Sequence, residues 1–323
     1  MDAWKRQLVR FKFPYSGTRL NLEAAFSRKD PHIPSKLYKY RQFSETHLDA
    51  VRRGVLWMSS PDKFNDPYDS TVYFDPDRLF VDNRSPAEAY AAAEQLDSHL
   101  QSGAQFRPKP ITRPIRISEW RRKTASELLE GASPEMRDGV TRAIDKIVET
   151  YNQQMVEQMS RSSREGYSVL SLTEVPTSVL MWSHYSDDHR GFCIEYDFAA
   201  LDSMDLRRRL CFPVFYRRKL TDATRYLAKV DVGDLNLFFG QFLCLLKSDE
   251  WAYEKEWRIV HALGPDQANF ELQMPLPSAI ILGAHTTPEN EGKMRAFCKD
   301  RIVLKKIIQR HNEFRLDVEE LSL

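Results

Sequence analysis

From residue 168 to the end, this 323-residue chain reads as a series of short strands, and that limits its fold more than any other feature. Ser168–Leu172, Gly191–Asp197, Cys211–Tyr216, Glu256–Val260 and Ala279–Gly283 are wholly apolar or alternate apolar with polar residues. Period-two alternation marks a half-buried strand, and short apolar runs suit a fully buried one. Val303–Gln309 and Phe314–Val318 read as a closing hairpin, and helices are expected at 220–228, 234–247 and 288–299. Two earlier strands, Leu37–Arg41 and Val55–Ser59, flank a short helix with Ser44 as its N-cap and Gly54 at its end. Strands and helices do not alternate one for one, so the class is α+β, not a doubly wound α/β sheet. No glycine-rich loop follows a strand, which argues against Rossmann and Walker nucleotide sites.

Residues 86–101 and 118–160 are rich in Ala, Glu, Gln, Lys and Arg and predict helices. They lie between strands, so 84–165 reads as a helical insertion. Residues 1–35 read as an N-terminal helical segment and proline-punctuated linker, ahead of one α+β domain over 36–323. With 47 cationic and 46 acidic residues the formal charge is +1, so no global field draws the chain to nucleic acid or to an anionic membrane. The N-terminus lacks the apolar run of a signal peptide, no segment is apolar enough to span a bilayer, and the four cysteines form no CxxC pair. These features lead to the expectation of a cytoplasmic protein with free buried thiols and no membrane partner.

Four clusters carry possible chemistry. Met181–Phe192 packs Trp182, His184, Tyr185, Asp187, Asp188, His189 and Arg190 into one short stretch ahead of a strand. Such a polar cluster holds functional groups on a rigid frame or, more plainly, caps and bridges backbone. His184, Asp187, Asp188 and His189 also suggest a metal-dependent hydrolase or nuclease, but the spacing of the two histidines suits neither a helical nor a strand pair of ligands. On Leu37–Arg41, Lys39 and Arg41 with Tyr38 and Tyr40 can hold a phosphate and stack a ring, or form a solvated strand face. Asn65 and Asp66 before Pro67 make an Asx-turn or a ligand-contacting loop. Glu254 and Glu256 share one side if the strand has already begun, with Arg258 continuing it. Two such carboxylates repel unless a cation or a substrate sits between them. The plainer reading is a solvent-facing Glu–Arg edge.

Taken in order, these motifs resemble the bacterial domain-of-unknown-function family 2971, over about residues 36 to 285. More distantly, the layout is similar to the ADP-ribosyltransferase superfamily. There an opening strand with Leu-Tyr-His is followed by a short helix, a glycine and a second strand, and a Glu-x-Glu heads a late strand. Here Leu37-Tyr38-Lys39 stands for the first and Glu254-x-Glu256 for the last. Lys39 replaces the histidine, Arg41 is displaced by two positions as an opening arginine, and Ser168 and Ser171 are the nearest to a Ser-Thr-Ser element. The resemblance implies an ADP-ribosyltransferase-like split mixed or antiparallel sheet with a helical insertion. It implies NAD as substrate, no metal, and transfer of ADP-ribose to a protein or nucleic-acid acceptor or NAD hydrolysis, in a toxin or phage-defence role. Glu256 would face the oxocarbenium-like ribose, as carboxylates do in glycoside cleavage, and Glu254 would position the acceptor. Tyr40, Trp182 or Tyr185 would stack nicotinamide. Lys39, Arg41 or Arg258 would hold the diphosphate, His184 and His189 would reach ribose hydroxyls or orient the aromatics, and Asn65 would touch ligand. The alternative is a non-catalytic nucleotide or nucleic-acid binding module.

Overall fold

Eight strands join in one mixed sheet of order β16-β15-β14-β7-β1-β6-β12-β8. They are β1 (Lys36–Arg41), β6 (Tyr167–Thr173), β7 (Phe192–Asp197), β8 (Cys211–Pro213), β12 (Glu256–Ala262), β14 (Ala279–Leu282), β15 (Val303–Gln309) and β16 (Leu316–Glu320). The computed structural model describes residues 1–75, 78, 80–82, 114–130, 133–224, 236–262, 270–299 and 301–322. Every neighbouring pair in the sheet is antiparallel except β14–β15, whose crossover is the helix Pro288–Cys298. Shorter pairs flank it: β2 (Val55–Met58) with β13 (Phe270–Gln273), β3 (Val72–Tyr73) with β10 (Thr221–Asp222), β4 (Phe80–Asp82) with β5 (Pro114–Arg116), and β9 (Phe215–Arg217) with β11 (Leu246–Ser248). The class is α+β, as the element pattern requires.

The sheet buries both faces. Successive residues point to opposite sides, so Leu37, Ile194 and Ile280 fill one core while Tyr40, Cys193 and Ile281 fill the other. The first core is closed by α3 (Glu45–Arg53) through Leu48 and Val51, and the second by α6 (Val179–Tyr185) through Met181 and Trp182. Ser44 caps α3 by accepting from His47 N, and Gly54 ends it at φ 69°, where a side chain would be strained. A third core, with Phe212, Phe215, Phe242 and Leu245, is covered by α1 (Ala3–Lys12) and α2 (Leu22–Lys29). The N-terminal helices thus pack into the body of the protein through Leu8, Phe13 and Ala25.

The insertion has α4 (Ile117–Leu128) and α5 (Pro134–Glu165), which meet around Ile117, Trp120, Ile144 and Val148. Its two roots are tied together. Ser60 Oγ donates to Arg164 O at 2.9 Å, and Arg164 Nη2 donates to Thr71 Oγ1 at 2.6 Å. The helix expected at 86–101 lies outside the described residues. Of the helix expected at 220–228, Thr221–Asp222 is a strand and 225–228 lie outside them.

Of the helix expected at 234–247, 234–235 lie outside the described residues, α8 spans Phe239–Leu243, and Leu246–Ser248 is a strand. The stretch Phe242–Leu246 is apolar throughout, and periodicity cannot separate a buried helix from a buried strand there. The short α7 (Leu206–Arg209) precedes β8, and α9 (Pro288–Cys298) is the β14–β15 crossover.

Candidate functional site

The sheet opens between β1 and β6. β1 pairs with β7 along its whole length, but with β6 only at Tyr38 and Thr173. Beyond that point Lys39 Nζ donates to the Ser171 carbonyl at 2.7 Å, a side chain taking an acceptor that a continuous ladder would use. A cleft of about 660 Å³ lies over this opening, walled by β1, α3, β2, β6, the 63–65 loop and the head of β12.

Lys39 and Arg41 both line the cleft, because residues two apart on a strand share a face. Arg41 has no acidic partner among the described residues. Burial lowers its guanidinium to about 10. Burial, then the charge of Arg41, lowers Lys39 to about 7. Gly191 lets β7 run this close: a Cβ there would sit 2.2 Å from Arg41 O.

The opposite wall is acidic and bound in a buried network. Arg258 Nε and Nη2 donate to Glu256 at 2.7 and 3.0 Å, while Nη1 and Nη2 donate to Asp69 at 2.7 and 2.6 Å. Nη1 also donates to Cys244 O at 2.7 Å. Lys247 Nζ donates to Glu256 Oε2 at 3.0 Å and to Glu254 Oε2 at 2.6 Å. Tyr185 Oη donates to Glu254 Oε1 at 2.6 Å.

The two glutamates titrate apart. Burial works to raise Glu256, but the charges of Arg258 and Lys247 outweigh it and hold the carboxyl well below the usual range. Burial, then the charge of Glu256, raises Glu254. Two neighbouring acids pushed in opposite directions are a common arrangement for paired acid–base roles.

Glu254 is not on the strand. It ends the 3-10 turn Asp249–Glu254, and Lys255 follows in the left-handed region at φ 43°. The carboxylates converge through Lys247, not through strand parity. The solvent-facing Glu–Arg edge is also corrected: Glu256 and Arg258 are 5% and 1% exposed.

Nine of the eleven sequence-predicted site residues line the cleft: Lys39, Tyr40, Arg41, Asn65, His184, Tyr185, Glu254, Glu256 and Arg258. Two of these change part. The Tyr40 ring packs edge-on to Trp182 at 5.0 Å, and its hydroxyl donates to Val175 O, so it offers no open ring face to a ligand. All five N–H groups of Arg258 are taken by protein acceptors, which leaves none for a diphosphate.

Trp182 and His189 lie outside the cleft. Trp182 is fully buried with its indole N–H on Pro176 O. It serves the core behind β1, since a flat apolar ring gains most by full burial. His189 Nε2 lies 3.2 Å from Ser183 Oγ, in a turn where Asp187, Asp188 and His189 all have positive φ. Arg190 pairs with Asp187, and among the described residues no three His, Cys, Asp or Glu side chains gather as metal ligands.

Sequence reasoning passed over Lys247 and Asp69. Lys247 follows Leu245 and Leu246, and a lone cation closing an apolar run is the signal that it points into a paired interior site. Asp69 had no signal of its own. Its partner Arg258 is 189 positions away. Ser171, named as a nearest serine, lines the cleft together with Glu256. No described helix is long and apolar enough to cross a membrane.

Comparison with curated proteins and with solved structures finds no match for the chain. Residues 181–259, which run from α6 through the buried ion network, match the model of a family described as "Protein of unknown function (DUF2971)".

Proposed function

We propose that the cleft binds NAD and breaks its nicotinamide–ribose bond, passing ADP-ribose to a macromolecular acceptor or to water. One observation carries this reading: two basic side chains without acidic partners among the described residues, Lys39 and Arg41, face the paired carboxylates Glu254 and Glu256 across the opening between β1 and β6. A ligand with an anionic middle and a centre that becomes cationic fits that polarity. The diphosphate would sit on the β1 side, where charge-assisted bonds are strong. The ribose would sit toward Glu256, whose fixed negative charge favours the oxocarbenium-like centre.

As the C–N bond breaks, its electron pair leaves with nicotinamide. The acceptor oxygen or nitrogen adds to the same ribose carbon and gives up a proton. Glu254, with its raised carboxyl, would receive that proton. Of the three rings the sequence offered, Tyr185 lines the cleft wall and would stack nicotinamide.

The test is nicotinamide release from NAD, with and without lysate as acceptor, beside Glu254→Gln and Glu256→Gln. Turnover lost in both variants supports the enzyme, and lysate dependence separates transfer from hydrolysis. Unchanged turnover in Glu256→Gln would sink its assigned role. A second reading is a nucleotide-binding module. It is favoured by the Glu256 oxygens, which already accept from Arg258 and Lys247. Saturable binding of NAD with no product over hours would select it.

A further inference from the structure

We propose that Lys39 is a covalent amine site: its Nζ condenses with an aldehyde or ketone whose anionic group is held by Arg41. This does not rest on NAD cleavage, because it needs only the β1 wall of the cleft. Three observations point there. Lys39 and Arg41 sit on one face of β1 and both line a cleft of about 660 Å³, room for a small ligand. The Lys39 ammonium has a single described acceptor, the Ser171 carbonyl at 2.7 Å, and no carboxylate within ion-pair distance among the described residues. Arg41 beside it likewise lacks an acid.

A lysine that is desolvated and next to a second cation is the environment in which an amine becomes a nucleophile. The titratable groups lining the cleft with it include Arg41 on its own strand, His47 on α3, and Asp69, Lys247, Glu254, Glu256 and Arg258 across the cleft. Burial and Arg41 together bring Lys39 to about 7, with the two glutamates opposing. At neutral pH a large fraction is therefore free amine.

The step balances without an added oxidant or reductant. The Nζ lone pair attacks the carbonyl carbon, and the C=O π pair moves to oxygen, which takes up a proton. The carbinolamine then loses water, its oxygen leaving with the amine's hydrogens, to give the imine. The anionic group pairs with Arg41 throughout.

Pyridoxal 5′-phosphate is a suitable probe, being an aldehyde with a phosphate. The full-length protein is exposed to it at pH 7.5, reduced with borohydride, and mapped by peptide mass. At that pH the neutral fraction of an amine titrating near 7 exceeds that of an ordinary lysine by a factor of several hundred. Part of that is offset by lower basicity, so label on Lys39 should exceed that on the exposed Lys219 by roughly tenfold or more. Its rate should rise through pH 7 and level off by about pH 8. Inorganic pyrophosphate should compete, and Arg41→Gln should lower the labelling several-fold.

The peptide map is read on the unmodified chain, so a poorly folding variant does not obscure it. Equal label on Lys39 and Lys219, or no label on Lys39, would overturn the proposal. Strong label on Lys39 that neither pyrophosphate nor Arg41→Gln reduces would overturn the part given to Arg41. NAD turnover is a separate readout: it can fail while the label forms.

Discussion

Replacing Arg258 with methionine keeps the bulk of the side chain and removes five hydrogen bonds. Two go to Glu256, two to Asp69 and one to the Cys244 carbonyl. The two carboxylates would then depend on Lys247, which is 3.0 Å from Glu256 and 4.0 Å from Asp69. Removing one partner of a buried ion pair costs about 3–5 kcal/mol, mostly because the other charge stays buried. With two acids losing their arginine at once, a loss of about 4 kcal/mol or more at pH 7.5 is expected, against a total of about 5–15 kcal/mol for a folded protein.

Urea unfolding at pH 7.5 and 5.5 measures this, with an unchanged denaturant slope showing that the folded state is retained. The pH arm has a definite sign. In the parent chain Glu256 is held below its unfolded value, so its contribution is intact above about pH 4.3 and is lost only as pH falls further. Without Arg258, Lys247 alone opposes burial, and that carboxyl is expected to rise above its unfolded value. The folded variant then binds more protons than the unfolded chain and gains stability as pH falls. The gap between the two proteins should therefore narrow by about 1 kcal/mol or more between pH 7.5 and 5.5. A loss below about 1 kcal/mol at pH 7.5, or a gap that widens on acidification, would refute the reasoning.

Three further outcomes are expected. Lys12 lies among Phe13, Phe26, Phe212 and Phe238, and burial, then Lys29 and Arg209, brings it to about 7. The unfolded chain therefore binds more protons between about pH 7 and 10, stability rises with pH there, and Lys12→Met should flatten that rise in thermal melts. Gly191→Ala drives a methyl against Arg41 O and should cost at least about 1–3 kcal/mol, read by chemical unfolding; a neutral result would mean that β1 and β7 adjust freely. Arg41→Gln removes a cation that has no acid partner among the described residues, so pyrophosphate binding by calorimetry should weaken about tenfold with no loss of fold; equal affinity would place the anion elsewhere.

The fold was legible wherever short-range chemistry decides it. Ser44, Gly54 and the run between them announce a capped helix, and the alternation in 192–197 announces a strand. The candidate site was legible in its residue types, since most of the residues singled out line one cleft, but which β1 side chains face it was not. Hidden were the features that depend on distant partners. Trp182 and Tyr185 are three residues apart on one helix, yet one fills the core and the other reaches Glu254. Nothing local distinguishes them. The left-handed Lys255 likewise breaks the parity that Glu254-x-Glu256 suggests, and Lys247 restores the convergence from another strand.

The tied roots of the insertion have a practical consequence. Ser60 and Thr71 on one side and Arg164 on the other already close the loop, so the chain between them spans almost no distance. Lengthening a closed loop adds only about 0.6 kcal/mol per doubling. A fluorescent reporter or an affinity tag can therefore be added within the insertion while Asp69 and Arg258 keep their places. That makes it the natural point at which to attach a handle for testing candidate ligands of the cleft.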